Sequence, residues 1–442
     1  MTQSLISLQD FSPIADGISL DTKAFEAAIK VAERQGGGHI VAPPGTYLTG
    51  PIRLISNLVF EIQAGATLLF TDDVEQFPIV DSRLEGVKSK AYMPCIYGKN
   101  LTNVILTGSG TLDGQGTNWW KLHRETPEKL AYPRPYLIGF DYSSRITISD
   151  LNLTMSPSWT VHPMECYDVT IQNISILNPA DSPNTDGIDP ESCKNLRILN
   201  CNIDVGDDCI AIKSGTEQTT TSKSACENIT ISNCTMVHGH GAVVLGSEMS
   251  RNIRNVTISN CVFQQTDRGI RMKTRRGRGG VVENITVSTI VMEDVLCPFV
   301  INAYYFCGPK GKEKYVWDKN PYPITKETPC FRSIHFSNIV AKKVRAAEGF
   351  IYGLPEMPVQ DVSFTNIQIE MDKNGLPGVP AMMTGIDKMQ AAGFFLGNTE
   401  LVQFQQVIVE NIKGPVFKEE NNQLLLKSNC YQKTEKQLIP YN

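Results

Sequence analysis

Four short strings hold the residues best suited to chemistry. NTDG carries Asp186, GDD carries Asp207 and Asp208, HGHG carries His240, and RGIRMKTRRGRGG carries Arg271 and Lys273. Singly, each has an ordinary reading. An Asp after Asn-Thr forms turns by bonding the local backbone. Asp-Asp after Gly suits a solvated turn, an isolated His-x-His suits a surface or core histidine, and RMKTRRGR suits a solvated basic run. The spacing changes this. Asp186, Asp208, His240 and Arg271 follow one another at intervals of 22, 32 and 31 positions. If the chain winds in coils of roughly 30 residues, such side chains rise up one face on coils about 4.8 Å apart. Three carboxylates in one patch repel, so at least one is expected to hold its proton above the ~3.9 of a free Asp. A protonated carboxyl beside ionised ones can hydrolyse a glycosidic bond, one group protonating the leaving oxygen and another activating water.

The surroundings of the paired acids are strand-like. In NIDVGDDCIAIKSG, residues 202–215, Val205, Ile210 and Ile212 are β-branched. Neighbours on a strand point to opposite faces, so Gly206 is expected to supply a bend or bulge that turns Asp207 and Asp208 to one side.

The elements that must position these groups repeat. DVTIQNISI begins at Asp168, NLRILNCNI at Asn195, NITISNCTM at Asn228, NVTISNCVF at Asn255 and NITVSTIVM at Asn284, at intervals of 27, 33, 27 and 29. NVILTGSGT at Asn103, RITISDLNL at Arg145, SIHFSNIVA at Ser333 and DVSFTNIQI at Asp361 extend the series. Each unit alternates apolar and polar residues and then breaks at Asn, Gly or Asp, which is strand punctuation. The expected fold is all-β: a single-domain right-handed parallel β-helix, one solenoid over residues 1–442. Cys201, Cys234 and Cys261 each fall six residues after their unit's first Asn, so they are expected to stack as an inward column of buried thiols.

A solenoid's first coil exposes apolar edges. DTKAFEAAIKVAERQ, residues 21–35, predicts an N-terminal capping helix with Phe25, Ile29 and Ala32 on one face, Asp21 as N-cap and Gly36 just past the end. Cap and first coil together span about residues 1–45, and residues 307–330 read as a long loop between coils. In that loop Tyr315 and Trp317 are candidates for stacking on a sugar.

Composition bounds the function class. Of 442 residues, 41% are apolar and 20% charged, with net charge −5, which disfavours a general nucleic-acid or membrane-surface role. MTQSLISLQDF lacks the charged start and apolar run of a signal peptide. No apolar run approaches the ~20 residues of a membrane span. Twelve cysteines in so long a chain do not make a disulfide framework. The expectation is a cytoplasmic protein with free thiols, the alternative being secretion after removal of a signal.

At these motifs the sequence resembles the family 28 glycoside hydrolases, the polygalacturonases. The matching strings read NTDGID, GDDCIAIKSG, GHGAVVLGS and RMKT, supported by TLDGQGTNWW and ADGISLDTKAFEAAI, and the resemblance runs from about Ala15 to about Pro358. It implies a right-handed parallel β-helix that hydrolyses α-1,4-linked galacturonate with inversion and without a cofactor or metal. Carried onto this chain, the general acid is Asp207, Asp186 and Asp208 position the water, and His240 lies near the acid. Arg271 and Lys273 bind the substrate carboxylate, with Met272 replacing the family's Ile on the buried side. A site tyrosine falls on Tyr304 or Tyr305, with Tyr305 the choice. A galacturonate unit needs its charge paired, and Arg offers a planar fork where Lys offers a point charge. Arg275, Arg276 and Arg278 are expected to add positive potential. A pectic oligo- or polysaccharide is the expected partner, attacked from a chain end. The alternatives are endo cleavage, rhamnogalacturonan hydrolysis, a Ca²⁺-dependent pectate lyase, or a β-helix that binds carbohydrate without cleaving it.

Overall fold

A computed structural model describes residues 5–84, 87–216, 225–308, 310–434 and 437–441. The architecture is the right-handed parallel β-helix expected from the repeat. Contacts group the chain into two compact units, Met1–Asp207 and Asp208–Asn442.

In the first unit each coil contributes three short strands. Leu58–Ile62, Thr102–Thr107, Ser144–Ser149, Tyr167–Gln172 and Lys194–Leu199 pair in parallel on one side. Ala66–Phe70, Thr111–Asp113, Asn152–Thr154, Ser175–Leu177 and Asn202–Val205 form a second side. A third side is built from Ile52–Arg53, Ile96–Lys99, Ile138–Asp141 and Val161–Met164, continued by bridges to Ile188 and Glu191. In-register pairing stacks like on like: Val104, Ile146, Val169 and Leu196 form one interior column, all buried. The repeat's Asn and Asp starts have a backbone cause. Asn103, Asp168 and Asn195 all have φ between 56° and 58°, a left-handed conformation that these side chains tolerate better than most.

The second unit continues the same grammar with longer strands. Ile253–Gln264, Val281–Glu293, Cys330–Val344 and Gln360–Met371 pair in parallel, in register apart from one shift between Ala341 and Val344. Ile210–Ile212, Val243–Gly246, Arg268–Lys273, Cys297–Asn302 and Ala347–Tyr352 form the side that carries the basic motif. Its interior turns aromatic: Phe336, Phe364 and Phe404 stack at 4.8–4.9 Å between ring centroids, with Phe299 and Phe394 packed edge-on against Phe364.

Helix α1 spans Thr22–Arg34, one residue short of the expected span at each end, and sets Phe25 edge-on to Tyr47 and Phe60. Asp21 stands at its N-cap position, but its carboxylate does not cap the helix. It accepts from the amides of Ile14 and Ala15 at 2.7 and 2.9 Å and so fixes the preceding turn. Gly36 follows with φ +77°, the left-handed turn-off that glycine permits. Ile29 is only half-buried, and Ala24 and Ala28 complete the buried stripe. All twelve cysteines are free thiols; Cys201, Cys234 and Cys261 are buried as expected. No helix among the described residues is long and apolar enough to cross a membrane.

Candidate active site

In the first unit the strand Asn202–Val205 ends, and a bend carries Gly206 and Asp207. Gly206 is required for close approach, not for a bulge. A Cβ there would meet the carbonyl oxygens of Ser182 at 2.5 Å and Pro179 at 2.8 Å. The turn that Gly206 packs on leads into NTDG. Asn184 takes φ 55°, and buried Arg134 holds the turn by donating to Asn184 Oδ1 at 2.8 Å and to the carbonyls of Pro183 and Pro157. Burial lowers the Arg134 pKa to about 10. The Asp186 carbonyl accepts from Thr160 N at 2.8 Å, which locks the turn to the neighbouring coil. Asp186 is buried, Asp207 is half-buried, and a carboxylate oxygen of one comes within 4.8 Å of a carboxylate oxygen of the other. Sequence reasoning missed Arg134. Its only signal was a lone Arg between two prolines.

The second unit begins with Asp208, the next residue in the chain, and here its surroundings are cationic. Lys273 Nζ lies 2.7 Å from one carboxylate oxygen and Arg271 Nη1 lies 3.2 Å from the other. The alternation of Arg268–Lys273 explains this: Arg271 and Lys273 are two apart and share a face, while Met272 between them is fully buried in the interior. Burial opposes ionisation of Asp208, but Lys273 and then Arg271 outweigh it and hold the carboxyl well below the usual range. Asp208 is therefore not the proton-holding acid of the cluster. The ring of Tyr305 lies 5.1 Å from Lys273 Nζ and 5.7 Å from the Arg271 guanidinium. Tyr304 is buried elsewhere, against Tyr352 at 5.3 Å, so of the two tyrosines only Tyr305 adjoins both cations. His240 is half-exposed, and its Nδ1 meets Asp267 Oδ2 at 3.0 Å. Burial pushes the Asp267 carboxyl up, yet the bond to His240 and the charge of Arg268 leave it below its ordinary value. Asp267 was not singled out from sequence, since nothing local marks it as the residue that orients His240.

A second missed element is the chain around residues 374–390. Its carbonyls at Val379 and Pro380 accept from Arg268, and Met382 Sδ sits 2.8 Å from Arg271 Nη2. Asn302 donates to the Met382 carbonyl at 3.2 Å. The loop thus brings a thioether against the clamp.

The remaining arginines of the basic run do not face the site as free charge. Arg276 is fully buried and makes a bidentate pair with Glu356 at 2.6 and 2.9 Å. It also donates to the carbonyls of Tyr315, Asp318 and Asn320. Arg278 pairs with buried Glu248 at 3.1 Å, and Arg275 donates to the Arg276 carbonyl. The expected extra positive potential is thus taken up inside the protein, and Arg276 also fastens the loop 307–330 through the loop's carbonyls. Tyr315 is likewise occupied, its ring edge-on to Tyr322 at 5.0 Å and beside Arg276; of the two sugar-stacking candidates only Trp317 stays exposed.

Residues 40–374 match the family model described as glycosyl hydrolases family 28. A Vitis vinifera protein named as a probable polygalacturonase is 37% identical over 376 residues, covering 83% of this chain and 74% of its own length. An endo-polygalacturonase of Pectobacterium carotovorum is 32% identical over 270 residues, covering 59% of this chain and 65% of its own length. Among solved structures, a Thermotoga maritima exopolygalacturonase superposes with TM-score 0.76 at 30% identity, over 92% of this chain and 91% of that one. A Yersinia enterocolitica family 28 exopolygalacturonase gives TM-score 0.80 at 20% identity, over 95% of this chain and 78% of that one, a likeness of fold.

Proposed function

Because the chain belongs to family 28 of the glycosyl hydrolases, we propose that it hydrolyses the α-1,4-galacturonosyl linkages of pectin-derived galacturonan, with inversion, from a chain end. The observation that carries this reading is the clamp in the second unit: two buried cations and a tyrosine ring converge on one carboxylate. Two positive charges against one negative leave a surplus of one, which suits a sugar bearing its own carboxylate.

In this reading Asp207 protonates the leaving glycosidic oxygen as the C1–O bond breaks. A water attacks C1 from the opposite face and gives its proton to a carboxylate. Asp208, its basicity lowered by Lys273 and Arg271, orients that water, and proton acceptance falls to Asp186. His240, which the resemblance assigns to the neighbourhood of the acid, is held by Asp267. The inverting course is the one that the family resemblance implies.

Chain-end attack is favoured by the likeness to the Thermotoga maritima exopolygalacturonase at 30% identity. The Ca²⁺-dependent lyase alternative is disfavoured by chemistry: both oxygens of Asp208 already face cations, a setting that repels a dication. Incubation with a defined galacturonate oligomer, following product masses and anomeric configuration in time, tests the proposal. Early free galacturonate of inverted configuration is expected. A ladder of mid-sized oligomers would mean endo action, and unsaturated uronates lost on chelation would mean a lyase.

A further inference from the structure

In the first unit, the third side of the coil has an outward face that ought to be open. Strand alternation assigns it. Ile96, Ile138, Val161 and Ile188 lie in register and point into the interior, all fully buried. The next position in each strand therefore points out, giving Tyr97 and His162, and two residues further come Asp141, Met164 and Glu191. Apart from Met164 this outward set is polar, yet Tyr97 and His162 are 2% exposed and Glu191 is 1% exposed. Something covers it.

The cover is the antiparallel hairpin of Ile79–Leu84 and Val87–Tyr92, whose register runs from Ile79↔Tyr92 to Leu84↔Val87. From it Arg83 reaches across the face. Its guanidinium pairs with Glu191 at 2.8 Å and with Glu165, and it donates to the Tyr142 hydroxyl at 3.2 Å. The Arg83 carbonyl accepts from the Tyr136 hydroxyl at 2.9 Å, and the Tyr136 ring stacks on Trp159. Arg83 itself is 5% exposed. The base is anchored too: Tyr92 N donates to the Pro133 carbonyl and the Tyr92 ring packs edge-on to Trp119. A hairpin anchored at its base by a backbone hydrogen bond and ring packing, and near its turn end by buried ion pairs, is a fixed wall and not a swinging lid.

Its position gives it a role. Glu191, which Arg83 grips, lies five residues after Asp186 on the same passage of chain, and Trp159 immediately precedes Thr160, whose amide holds the Asp186 carbonyl. A polymer laid along the stacked strands beyond Asp186, toward the N-terminal coils, would have to occupy the space that the hairpin fills. We propose that the paired strands Ile79–Leu84 and Val87–Tyr92, latched by Arg83 to Glu165 and Glu191, end the substrate groove on that side and so determine that a chain end, and not the middle of a chain, is presented for cleavage. This rests on the chain-end reading above and assigns it to one element.

The test exploits the register. Asp81 pairs with Lys90, so replacing residues 82–89 by Asn-Gly leaves a two-residue turn of the kind that closes hairpins. Glu165→Gln and Glu191→Gln are added so that no buried charge is orphaned. The wild type is expected to release free galacturonate from polygalacturonate from the start. The shortened variant is expected to yield mid-sized oligomers at the earliest times and a drop in viscosity per bond cleaved at least ~10-fold larger, with kcat on trigalacturonate within ~3-fold of wild type. A wild type that already makes a ladder overturns both the chain-end reading and the wall. A wild type that is end-acting, beside a cooperatively folded variant that still releases only galacturonate, overturns the wall alone. Should the shortened chain not fold, Arg83→Gln with Glu165→Gln and Glu191→Gln in the full-length hairpin gives the same readout. There, unlatching without any oligomer products counts against the proposal, and retention of end-only products by Arg83→Lys, which keeps the cation in the otherwise wild-type chain, counts for it.

Discussion

Two neighbouring stretches of one basic string do opposite things. In the strand Arg268–Lys273, Arg271 and Lys273 share the outward face and meet Asp208 beside Tyr305. A few residues on, Arg276 and Arg278 are turned inward, one clasping Glu356 and three loop carbonyls, the other pairing with Glu248. In the reading proposed above, identical side-chain chemistry is thus split between recognition and construction. The difference is set by what each guanidinium has left over. Arg276 has bonds from all three of its nitrogens committed within the protein. The Arg271–Lys273 pair faces a single carboxylate and keeps a surplus of charge.

The contrast is broken most severely by removing Arg276. Arg276→Met should destabilise by about 3–5 kcal/mol, because Glu356 is left buried without its partner and the loop 307–330 loses its fastening; chemical denaturation measures it, and a loss under ~1 kcal/mol would show the fastening to be idle. Arg271→Gln should weigh the other way, costing less stability because Lys273 still pairs with Asp208, while kcat/KM on oligogalacturonate falls about 10³-fold, roughly 4 kcal/mol of transition-state binding. It should also shift a pH profile. Removing a cation lets the Asp208 pKa rise toward its ordinary value, so the acid limb should move to higher pH.

Glu248 and Arg278 sharpen the structural side of the comparison. Burial raises the Glu248 pKa, but Arg278 and Lys213 bring it down to about 2. A depressed carboxyl stabilises the fold above its unfolded pKa and loses that stabilisation as pH falls toward the folded value. The wild type should therefore lose stability between about pH 4.5 and 2 more steeply than Glu248→Gln with Arg278→Met. Urea midpoints at several pH values decide this. Glu348 supplies the opposite sign. Both its carboxylate oxygens are buried with no hydrogen-bond partner, and burial raises its pKa well above normal. It costs stability as pH rises above its unfolded pKa, so Glu348→Gln should gain about 1–2 kcal/mol at pH 8 and little at pH 4. Met272→Ile should be the mildest change, under ~1.5 kcal/mol and without effect on kcat/KM, since the side chain lies wholly in the interior.

Much of this was legible in the chain because a solenoid writes its geometry into its period. Coil spacing marked Asp186, Asp207, Asp208, His240, Arg271 and Lys273 as a set, and strand parity separated Arg271 and Lys273 from Met272. What escaped was set by contacts between distant residues. Arg83 meets Glu191 across 108 positions, Arg276 meets Glu356 across 80, and Arg271 meets Met382 across 111; no local pattern marks such partners. Gly206 shows a subtler gap. That a glycine was needed was readable, but the reason, two carbonyl oxygens pressed against its α-carbon, belongs to a neighbouring turn. Asp21 was correctly placed at the start of a helix and incorrectly given the capping bond, because the amides of Ile14 and Ala15 compete for its oxygens.

The twelve reduced sulfurs have a practical consequence. All but Cys307 are buried, so a membrane-permeant alkylating agent should label native protein at one position. Each further label then reports the opening of the coil that holds it. Mass spectrometry of labelled fragments would read out, coil by coil, the order in which the solenoid comes apart, with the sequence itself serving as the ruler.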